Sequence, residues 1–486
     1  MVLSLAEKEM VEHINAKKSE NFSEWYTQVL IRSGFIDYSE VSGCIIFRPA
    51  AYAAWQLVVD ATDKEFKKDG IDDVYFPLLI PEKLLQKEQE HLKGFTPEVA
   101  WVTHTGNTKL DERLAVRPTS ETIMYASYSK WIRSWRDLPL RYNQWNNVLR
   151  WEFKHPTPFI RSREFLWNEG HSAFASKEDA IAERDRIIKI YLRILKDYLA
   201  LPGIVGKKTD SEKFAGAVES YSIEHIMPDG LALQGPDHHF DGQNFSKPFE
   251  IKFLDKNGAW DYAWQTTYAI STREFGVMVA THGDNKGLVM PPKLAYLQVV
   301  IVPIYRKDNK EAVNQYSSNV HGVLSAHFRT RLDDREGYSP GFKYNEWEMK
   351  GVPIRIEIGE RDMAANMVTV IRRDTGEKQQ VNVNDIRGKV VDLLEEIHSN
   401  LYENAVRFLN DHVHVANTYD EFKKILKEKG GIITAPWCGS AECEAKMKEE
   451  NGTKITNLPL EHGKVAAKCI YCGKESAIAA NFARSY

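Results

Sequence analysis

Apolar residues in two stretches of the chain recur at the spacing of an amphipathic helix. Between positions 50 and 68 they return every three or four residues, and Gly70 then supplies a stop signal. A second helical pattern begins at Ser176, where Asp179 three residues later completes a variant of the capping box. Its apolar face continues to the Leu201-Pro202-Gly203 break. We expect two long helices that each bury one face.

Other stretches carry strand patterns. Residues 143–154 and 160–174 predict an antiparallel hairpin with a proline-rich tip, and 74–81 predicts a short buried strand. From 231 to 290, strand-like runs alternate with turn clusters such as Gly235-Pro236-Asp237. The first 290 residues therefore predict an α+β domain built on an antiparallel sheet.

The pattern changes after Pro291-Pro292. Strand signals at 297–302 and 354–358 flank a helical stretch near 310–330, which predicts a small α/β domain. A charged helical pattern follows, and the chain ends in a cysteine-containing segment. We predict three domains with bounds 1–290, 295–405 and 406–486, the last a small α/β module.

Composition narrows the class of protein. The 486 residues are 43% hydrophobic and 27% charged, as in ordinary globular chains, and the formal net charge is −4. This balance argues against disorder and against binding nucleic acid through bulk positive charge. There is no apolar run long enough to span a membrane, and the first twenty residues do not have the pattern of a signal peptide. We expect a cytoplasmic protein without a membrane partner.

Four of the five cysteines form two close pairs near the end of the chain. Four residues separate Cys438 from Cys443, two separate Cys469 from Cys472, and twenty-five lie between the pairs. Four thiolates suit tetrahedral zinc and leave no open coordination position, so the spacing predicts a structural zinc site. The alternative is a set of incidental thiols. Cys44 lies in an apolar run, which favours a packed thiol.

The predicted hairpin carries residues suited to binding anions and rings. Strand alternation places Arg150 and Glu152 on one face, and Trp167, Glu169 and His171 on one face of the return strand. A guanidinium can hold a phosphate or carboxylate through two hydrogen bonds, and a carboxylate with an aromatic ring can bind adenine. The alternative is a solvated face with cross-strand ion pairs.

These residues fall into an ordered series of family motifs. Arg150-x-Glu152 followed by Phe165 resembles motif 2 of the class II aminoacyl-tRNA synthetases, and residues 43–49 resemble motif 1. Residues 271–273 with 282–292 are similar to motif 3 of the prolyl subgroup, and 117–121 is similar to its specificity loop. The cysteine module and the final Arg484-Ser485-Tyr486 resemble the archaeal and eukaryotic-like form.

The resemblance implies ATP-dependent ligation of L-proline to tRNA(Pro), through a prolyl-adenylate, with Mg²⁺ accompanying ATP and Zn²⁺ in the cysteine module. It implies Arg150 and Arg273 as the catalytic cations. The residues implied for ATP are Arg150, Glu152, Arg161, Phe165, Gln234, Asp237 and Arg273. Those implied for proline are Thr119, Glu121, Arg150, Trp167, Glu169, His171, Phe214, His239 and Ser271. The residues that match the anticodon-reading stretch are Glu348, Arg355 and Asp362.

Three positions depart from the family pattern, and two of them are conservative: Ala269 replaces a usual glycine and Lys293 replaces a usual arginine. Asp237 stands where the family usually has threonine beside the nucleotide. A carboxylate there would repel phosphate, recruit magnesium or hydrogen-bond the ribose, and the sequence leaves these possibilities open.

Two alternatives and an assembly state follow from the resemblance. A catalytically decayed, RNA-binding paralogue is the main alternative, but it should have lost Arg150, Glu152 or Arg273, and all three are present. A threonine-specific enzyme is disfavoured because its pocket metal requires a cysteine, and none lies between Cys44 and Cys438. Motif 1 forms the subunit interface in this class, which implies a homodimer.

Overall fold

A computed structural model describes residues 13–91, 98–460, 468–476 and 478–486. The α-helices of these residues are α1 (Phe22–Arg32), α2 (Pro49–Lys68), α3 (Glu82–His91), α4 (Glu121–Trp131), α5 (Lys177–Ile194), α6 (Arg273–His282), α7 (Lys310–Ser325), α8 (Pro340–Met349), α9 (Glu360–Ala364), α10 (Ile386–Asp411), α11 (Tyr419–Glu428) and α12 (Ala441–Asn451). Within the described ranges, no helix is both long and apolar enough to cross a membrane.

The strands are β1 (Ile36–Tyr38), β2 (Ile45–Phe47), β3 (Asp72–Asp73), β4 (Leu79–Pro81), β5 (Trp101–Thr105), β6 (Thr108–Val116), β7 (Leu140–Leu149), β8 (Glu164–Phe174), β9 (Ile204–Lys207), β10 (Glu219–Ile226), β11 (Ala232–Gly242), β12 (Lys252–Leu254), β13 (Trp260–Tyr262), β14 (Trp264–Ala269), β15 (Val299–Pro303), β16 (Thr330–Leu332), β17 (Ile354–Ile358), β18 (Met367–Arg372), β19 (Lys378–Asn382), β20 (Val413–Val415), β21 (Ile432–Trp437), β22 (Lys454–Pro459) and β23 (Ile478–Ala483).

An eleven-stranded sheet runs through the molecule in the order β20-β21-β23-β22-β9-β10-β11-β14-β8-β7-β3. Its neighbours are antiparallel from β21 to β7, which confirms the antiparallel catalytic sheet. Strand β22 of the C-terminal module pairs with β9 of the catalytic domain. One hydrogen-bonded sheet therefore joins the two.

The two predicted long helices pack in the core of the catalytic domain. Helix α2 ends just before Gly70, whose φ of +75° suits glycine, and the Ser176 hydroxyl accepts a 3.2 Å hydrogen bond from the Asp179 amide at the start of α5. Phe66 from α2 and Tyr191 from α5 are buried in one cluster with residues of α1 and α6. The same cluster includes residues of the large sheet, so these helices cover one face of that sheet.

The anticodon-type domain contains a separate five-stranded sheet of order β16-β15-β17-β18-β19. Strand β15 runs parallel to both β16 and β17, as the strand–helix alternation predicted. Helices α7 and α10 contribute Val320 and Leu393 to its apolar core.

The predicted hairpin differs from the structure at its tip. Strand β7 ends at Leu149, so the prediction that Arg150 and Glu152 lie on one strand face is wrong. The chain leaves the strand pair because the Arg163 amide donates to Gly43 O in the motif 1 loop, at 2.8 Å, and the prolines of the tip carry no amide proton to continue a ladder.

Two other local predictions were wrong. Gly235-Pro236-Asp237 lies inside β11, not in a turn, because a bulge opposite 222–224 accommodates the proline. A Cβ at Gly235 would stand 2.5 Å from His225 Nε2, so only glycine fits. The strand predicted over 74–81 is reduced to β4 at its end, since Pro77 interrupts amide donation.

Candidate active site

A cavity of about 230 Å³ opens on the central sheet where β8, β10, β11 and β14 meet the start of α4. Eight of the nine residues predicted to contact proline line this cavity: Thr119, Glu121, Arg150, Trp167, Glu169, His171, Phe214 and His239. The remaining one, Ser271, bridges to Trp167 through the backbone and accepts from the Arg273 amide, but is not part of the lining. Strand alternation explains why Trp167, Glu169 and His171 face the same space.

Glu169 is the centre of a buried hydrogen-bond network beneath the cavity. Its Oε1 accepts from the Thr119 hydroxyl and the Ser120 amide, both at 2.8 Å. Its Oε2 accepts from the Ser120 hydroxyl at 2.5 Å and from Asn146 Nδ2 at 2.7 Å. Because these donors satisfy both oxygens, Glu169 fixes the 119–121 segment and does not offer a free carboxylate to a ligand.

The other carboxylate of the pocket is Glu121, the first residue of α4. The Thr119 hydroxyl lies within hydrogen-bond distance of Glu121 as well as of Glu169. A hydroxyl has one proton, so it can satisfy only one of the two carboxylates at a time. Glu121 therefore retains acceptor capacity for a cation in the cavity.

His171 adds a polar atom to the cavity wall. Its Nδ1 lies 3.3 Å from the Tyr125 hydroxyl, while its Nε2 is buried with no hydrogen-bond partner among the described residues. Ligand atoms of Glu121, Glu169 and His171 lie within 4.8 Å of one another. The occupied oxygens of Glu169 make this trio a better site for an organic cation than for a metal ion.

Aromatic rings close the cavity on two sides. The Phe214 ring stacks on His239 at a centroid distance of 4.7 Å, and His239 Nδ1 lies 2.8 Å from the Ser220 hydroxyl. Burial lowers the pKa of His239, which favours the neutral ring. On the other side the Trp167 indole donates to Asn146 Oδ1 at 2.7 Å. Hydrogen bonds with Ser220 and Asn146 therefore hold the His239 and Trp167 rings in place.

Arg150 lies at the mouth of this pocket in a fixed orientation. Its Nε donates to Pro118 O at 2.9 Å, and its guanidinium lies 5.0 Å from the Trp167 ring centre and 5.5 Å from that of Phe165. These contacts hold the side chain while it lines the cavity.

Arg273, the first residue of α6, is not among the residues that line the cavity, but it contacts the backbone of Gln234, which does line it. Its Nη1 donates to Gln234 O at 3.1 Å. Burial lowers the pKa of Arg273, and the positive charge of Arg150 lowers it further, while Glu274 and Asp237 oppose both effects. The two predicted catalytic arginines are therefore close enough to repel each other, and an anion between them would relieve that repulsion.

The remaining residues predicted for the nucleotide are more dispersed. Gln234 and Asp237 line the cavity, and Gln234 Nε2 donates to Asp237 Oδ2 at 3.0 Å. Phe165 packs edge-on against Trp167 at 5.5 Å. In the loop between β7 and β8, Arg161 lies 5.6 Å from the Phe153 ring and Glu152 is exposed to solvent. The structure does not bring Glu152 into the cavity.

The residues predicted for the anticodon fall in two places. Arg355 lies over the Tyr344 ring at 4.4 Å, and the charges of Arg355 and Asp362 both influence the pKa of Tyr344. Glu348 instead accepts from Lys286 Nζ of the catalytic domain at 2.9 Å. Thus Arg355 and Asp362 share one surface, whereas Glu348 contacts the motif 3 segment.

The four C-terminal cysteines converge as their spacing predicted. All four sulfurs lie within 4.8 Å of one another, and Cys438 and Cys472 are 3.7 Å apart. Tetrahedral zinc with bonds of about 2.3 Å would place its sulfur ligands about 3.8 Å apart, so the cluster fits that ion. A backbone N–H of Lys474 lowers the pKa of Cys472 to about 7, which favours a thiolate ligand.

The sequence analysis missed several residues of the cavity. Lys208, Glu212, Ser220, Tyr221 and Thr267 also line it. They belong to the β9–β10 connection and to strands distant along the chain, and the family motifs quoted above do not include them. The alternation of β10, once paired with β11, was the signal that would place Ser220 opposite His239.

Comparisons with known proteins agree with this geometry. A family model for the tRNA synthetase class II core domain (G, H, P, S and T) matches residues 101–282, an anticodon binding domain model matches 298–393, and a model for the prolyl-tRNA synthetase C-terminal domain matches 419–486. The protein is a class II aminoacyl-tRNA synthetase by fold and by domain content.

Full-length relatives define the subgroup. The chain is 46% identical to proline–tRNA ligase 2 of Clostridioides difficile (strain 630), with 99% of each chain covered, and 45% identical to proline–tRNA ligase of Alkaliphilus oremlandii over all of both. A crystal structure of prolyl-tRNA synthetase from Cryptosporidium parvum, complexed with halofuginone and AMPPNP, has a TM-score of 0.93 at 41% identity, covering 98% of this chain and 100% of that one. The chain belongs to the prolyl-tRNA synthetase family.

Proposed function

We propose that the protein ligates L-proline to tRNA(Pro) in two ATP-dependent steps, forming prolyl-adenylate and pyrophosphate and then transferring the prolyl group to the terminal ribose of the tRNA. One observation carries this proposal: Arg150 lines the same small cavity as Glu121 and lies close to Arg273. A cavity lined by the Glu121 carboxylate and the Arg150 guanidinium, with the Arg273 guanidinium hydrogen-bonded to the backbone of the lining residue Gln234, suits an amino acid next to a polyphosphate.

The amino-acid end of the cavity suits a compact secondary ammonium. Glu121 and the Thr119 hydroxyl accept hydrogen bonds from the proline nitrogen, and Glu169 holds the segment that carries them through Thr119 and Ser120. The rings of Trp167, His171, Phe214 and His239 enclose the pyrrolidine. Glu121 is 5% exposed and Trp167 is 9% exposed, so the ammonium would lose most of its water and depend on these acceptors.

The phosphate end supplies charge for the first step. The proline carboxylate attacks the α-phosphorus, and negative charge accumulates on the phosphate oxygens in the transition state. Arg150 holds the carboxylate beside the α-phosphate, and Arg273 binds the γ-phosphate of the leaving group. Magnesium, when bound with ATP, neutralises part of the phosphate charge. No side-chain nucleophile is required.

We assign secondary contacts to the other nucleotide residues. Phe165 stacks on adenine and Glu152 accepts from its amino group, which requires the exposed β7–β8 loop to turn toward the cavity when ATP binds. Gln234 contacts the nucleotide and Ser271 contacts the amino acid. Arg161 helps to bind the phosphates. Asp237 stabilises Arg273 electrostatically, consistent with its effect on the pKa of Arg273.

Proline-dependent exchange of pyrophosphate into ATP tests the function directly. We expect proline to support exchange at least about a hundredfold better than threonine or histidine. The proposed pocket binds the ring ammonium of proline and excludes the polar side chains of the other two amino acids. Alanine and cysteine are the demanding controls, since a difference of about one methylene gives only ~10–200-fold discrimination. Exchange that is absent with every amino acid would instead favour the inactive RNA-binding paralogue.

We assign anticodon recognition to the surface around Arg355 and Asp362. Replacing Arg355 with alanine should raise the KM for tRNA(Pro) about tenfold or more, because a guanidinium that reads a base edge contributes ~1–3 kcal/mol. Exchange without tRNA should be unchanged. Arg331→Ala is the matched control for lost positive charge, because Arg331 on the edge strand β16 and Arg355 on β17 pair with Val300 of β15 from opposite sides. Equal effects of both variants on tRNA would contradict a specific role for Arg355.

We also propose that two chains associate through motif 1. Apolar side chains of this region are exposed in the single chain: Tyr38 at 54%, Ile46 at 48% and Tyr52 at 49%. A patch of this kind marks an interface. Sedimentation velocity of the intact chain should give the mass of a dimer.

The cysteine cluster and the cellular location complete the proposal. Zinc bound by Cys438, Cys443, Cys469 and Cys472 serves a structural role, because four protein ligands leave no coordination site for a substrate. All five cysteines are free of disulfides, which is consistent with a cytoplasmic enzyme.

A further inference from the structure

One wall of the cavity comes from a loop that does not belong to the family motifs discussed above. Residues 208–218 connect β9 to β10, and Lys208, Glu212 and Phe214 of this loop line the cavity. Phe214 stacks on His239, so the position of this loop sets the shape of the pocket at the amino-acid end. We next consider what holds the loop in place.

A buried carboxylate of the C-terminal module accepts hydrogen bonds from this loop. Glu444 of α12 is 6% exposed; its Oε1 accepts from the Thr209 hydroxyl at 2.9 Å and its Oε2 from the Ser211 hydroxyl at 2.5 Å. A buried carboxylate with both oxygens engaged in hydrogen bonds holds its partners strongly, because losing them would leave charge unpaired.

Further contacts from the same module surround the loop. Lys208 Nζ donates to Thr456 O at 2.7 Å, and Glu212 lies 3.5 Å from the ammonium groups of both Lys448 and Lys454. By contrast, the amides of Glu212 and Lys213 both donate back to Thr209 O, inside the loop itself. The turn at 209–213 is thus closed on itself and fixed from outside chiefly by the C-terminal module.

We propose that Glu444 is a positioning residue for proline binding: by holding Thr209 and Ser211, it keeps Phe214 and Glu212 at the wall of the pocket. This inference rests on the proposed function. Glu444 directly follows Cys443 in the first turn of α12, so the thiol cluster and the substrate pocket are linked by a single helical turn. The effect is confined to the amino-acid end, since Arg273 and Gln234 lie on other elements.

The test compares two substitutions of Glu444 with one of its neighbour. Glu444→Ala leaves both hydroxyls without their acceptor and should raise the KM for proline about tenfold in pyrophosphate exchange, with kcat and the KM for ATP changed less than about twofold. Glu444→Gln keeps an acceptor for Thr209 and offers its amide to Ser211, so it should restore the proline KM to within about twofold. Glu442→Ala is the matched control, because Glu442 flanks Cys443 on the other side and forms its ion pair with Lys446 of the same helix, at 2.8 Å.

A second measurement separates positioning from general stability. Ser211→Ala should raise the proline KM on its own, and combining it with Glu444→Ala should raise it by less than the product of the two single effects, because both remove the same hydrogen bond. Calorimetric titration with proline alone should show the same losses in affinity without any catalytic step.

Several outcomes would overturn the inference. An unchanged proline KM in Glu444→Ala, a parallel rise in the KM for ATP, or multiplicative effects in the double variant would each show that Glu444 does not act through the loop. If Glu444→Ala fails to fold, the Ser211→Ala result decides alone. Failure of the wild-type chain to exchange pyrophosphate with proline would instead overturn the proposed function.

Discussion

Replacing Arg150 with alanine is expected to reduce proline-dependent pyrophosphate exchange by about a thousandfold or more. In the proposed mechanism both reacting anions share the Arg150 cation, and charge on the phosphate increases in the transition state, so the loss of Arg150 should affect kcat more than either KM. Rates of exchange at saturating proline and ATP measure this effect. The fold should persist, because among the described residues the side chain hydrogen-bonds a single backbone carbonyl, that of Pro118.

Two variants sharpen this experiment. Arg150→Lys keeps the charge but loses the planar pair of donors, and we expect it to recover only a small part of the activity. Arg136→Ala removes an arginine that also lies over an indole, that of Trp135 at 4.8 Å, but far from the cavity lining. Near-normal exchange in Arg150→Ala would refute the assignment of this residue, whatever the other variants show.

Loss of the metal is expected to have the largest effect on stability. Replacing Cys443 with serine, or treating the protein with a strong chelator, should release one zinc ion per chain and lower the unfolding midpoint of the C-terminal module by about 10 °C or more. The physical reason is that the metal joins two segments that are distant along the chain, and one of its ligands, Cys472, is exposed and not packed in the core. Metal analysis and calorimetry measure the two effects together.

Cys44 provides the matched control for this experiment. It is a free, half-buried thiol outside the cluster, so Cys44→Ser should keep the metal content and the midpoint of the wild-type protein. A Cys443→Ser protein that retains its zinc and its midpoint would contradict the proposed structural site.

The sequence predicted which residues line the pocket better than it predicted the course of the backbone that connects them. Trp167, Glu169 and His171 were expected on one strand face, and strand alternation puts them there. Arg150 was expected on the paired strand, yet β7 stops at Leu149: the Arg150 amide still donates to Arg163 O, but the Arg163 amide donates to Gly43 O in the motif 1 loop. Contacts between distant segments decided this difference, and a local pattern does not record them.

The role of Glu169 shows the same limit. The motif resemblance placed it in the proline pocket as a residue that orients its neighbours, but only the folded arrangement identifies these neighbours as Thr119, Ser120 and Asn146. Likewise, nothing in the cysteine spacing suggested that the following residue, Glu444, reaches across to the catalytic domain. Side chains that act on other side chains have no fixed sequence spacing to identify them.

Because β22 pairs with β9, the sheet that carries the substrate pocket depends on backbone from the C-terminal module. A chain that stops before β22 leaves β9 as a bare sheet edge with unpaired backbone groups, which invites aggregation. It also lacks the amide of Tyr486, which donates to Ala232 O at 3.1 Å at the start of the strand that carries Gln234. Loss of β22 and of the segment around Tyr486 would therefore expose β9 and also disturb the strand that lines the substrate pocket.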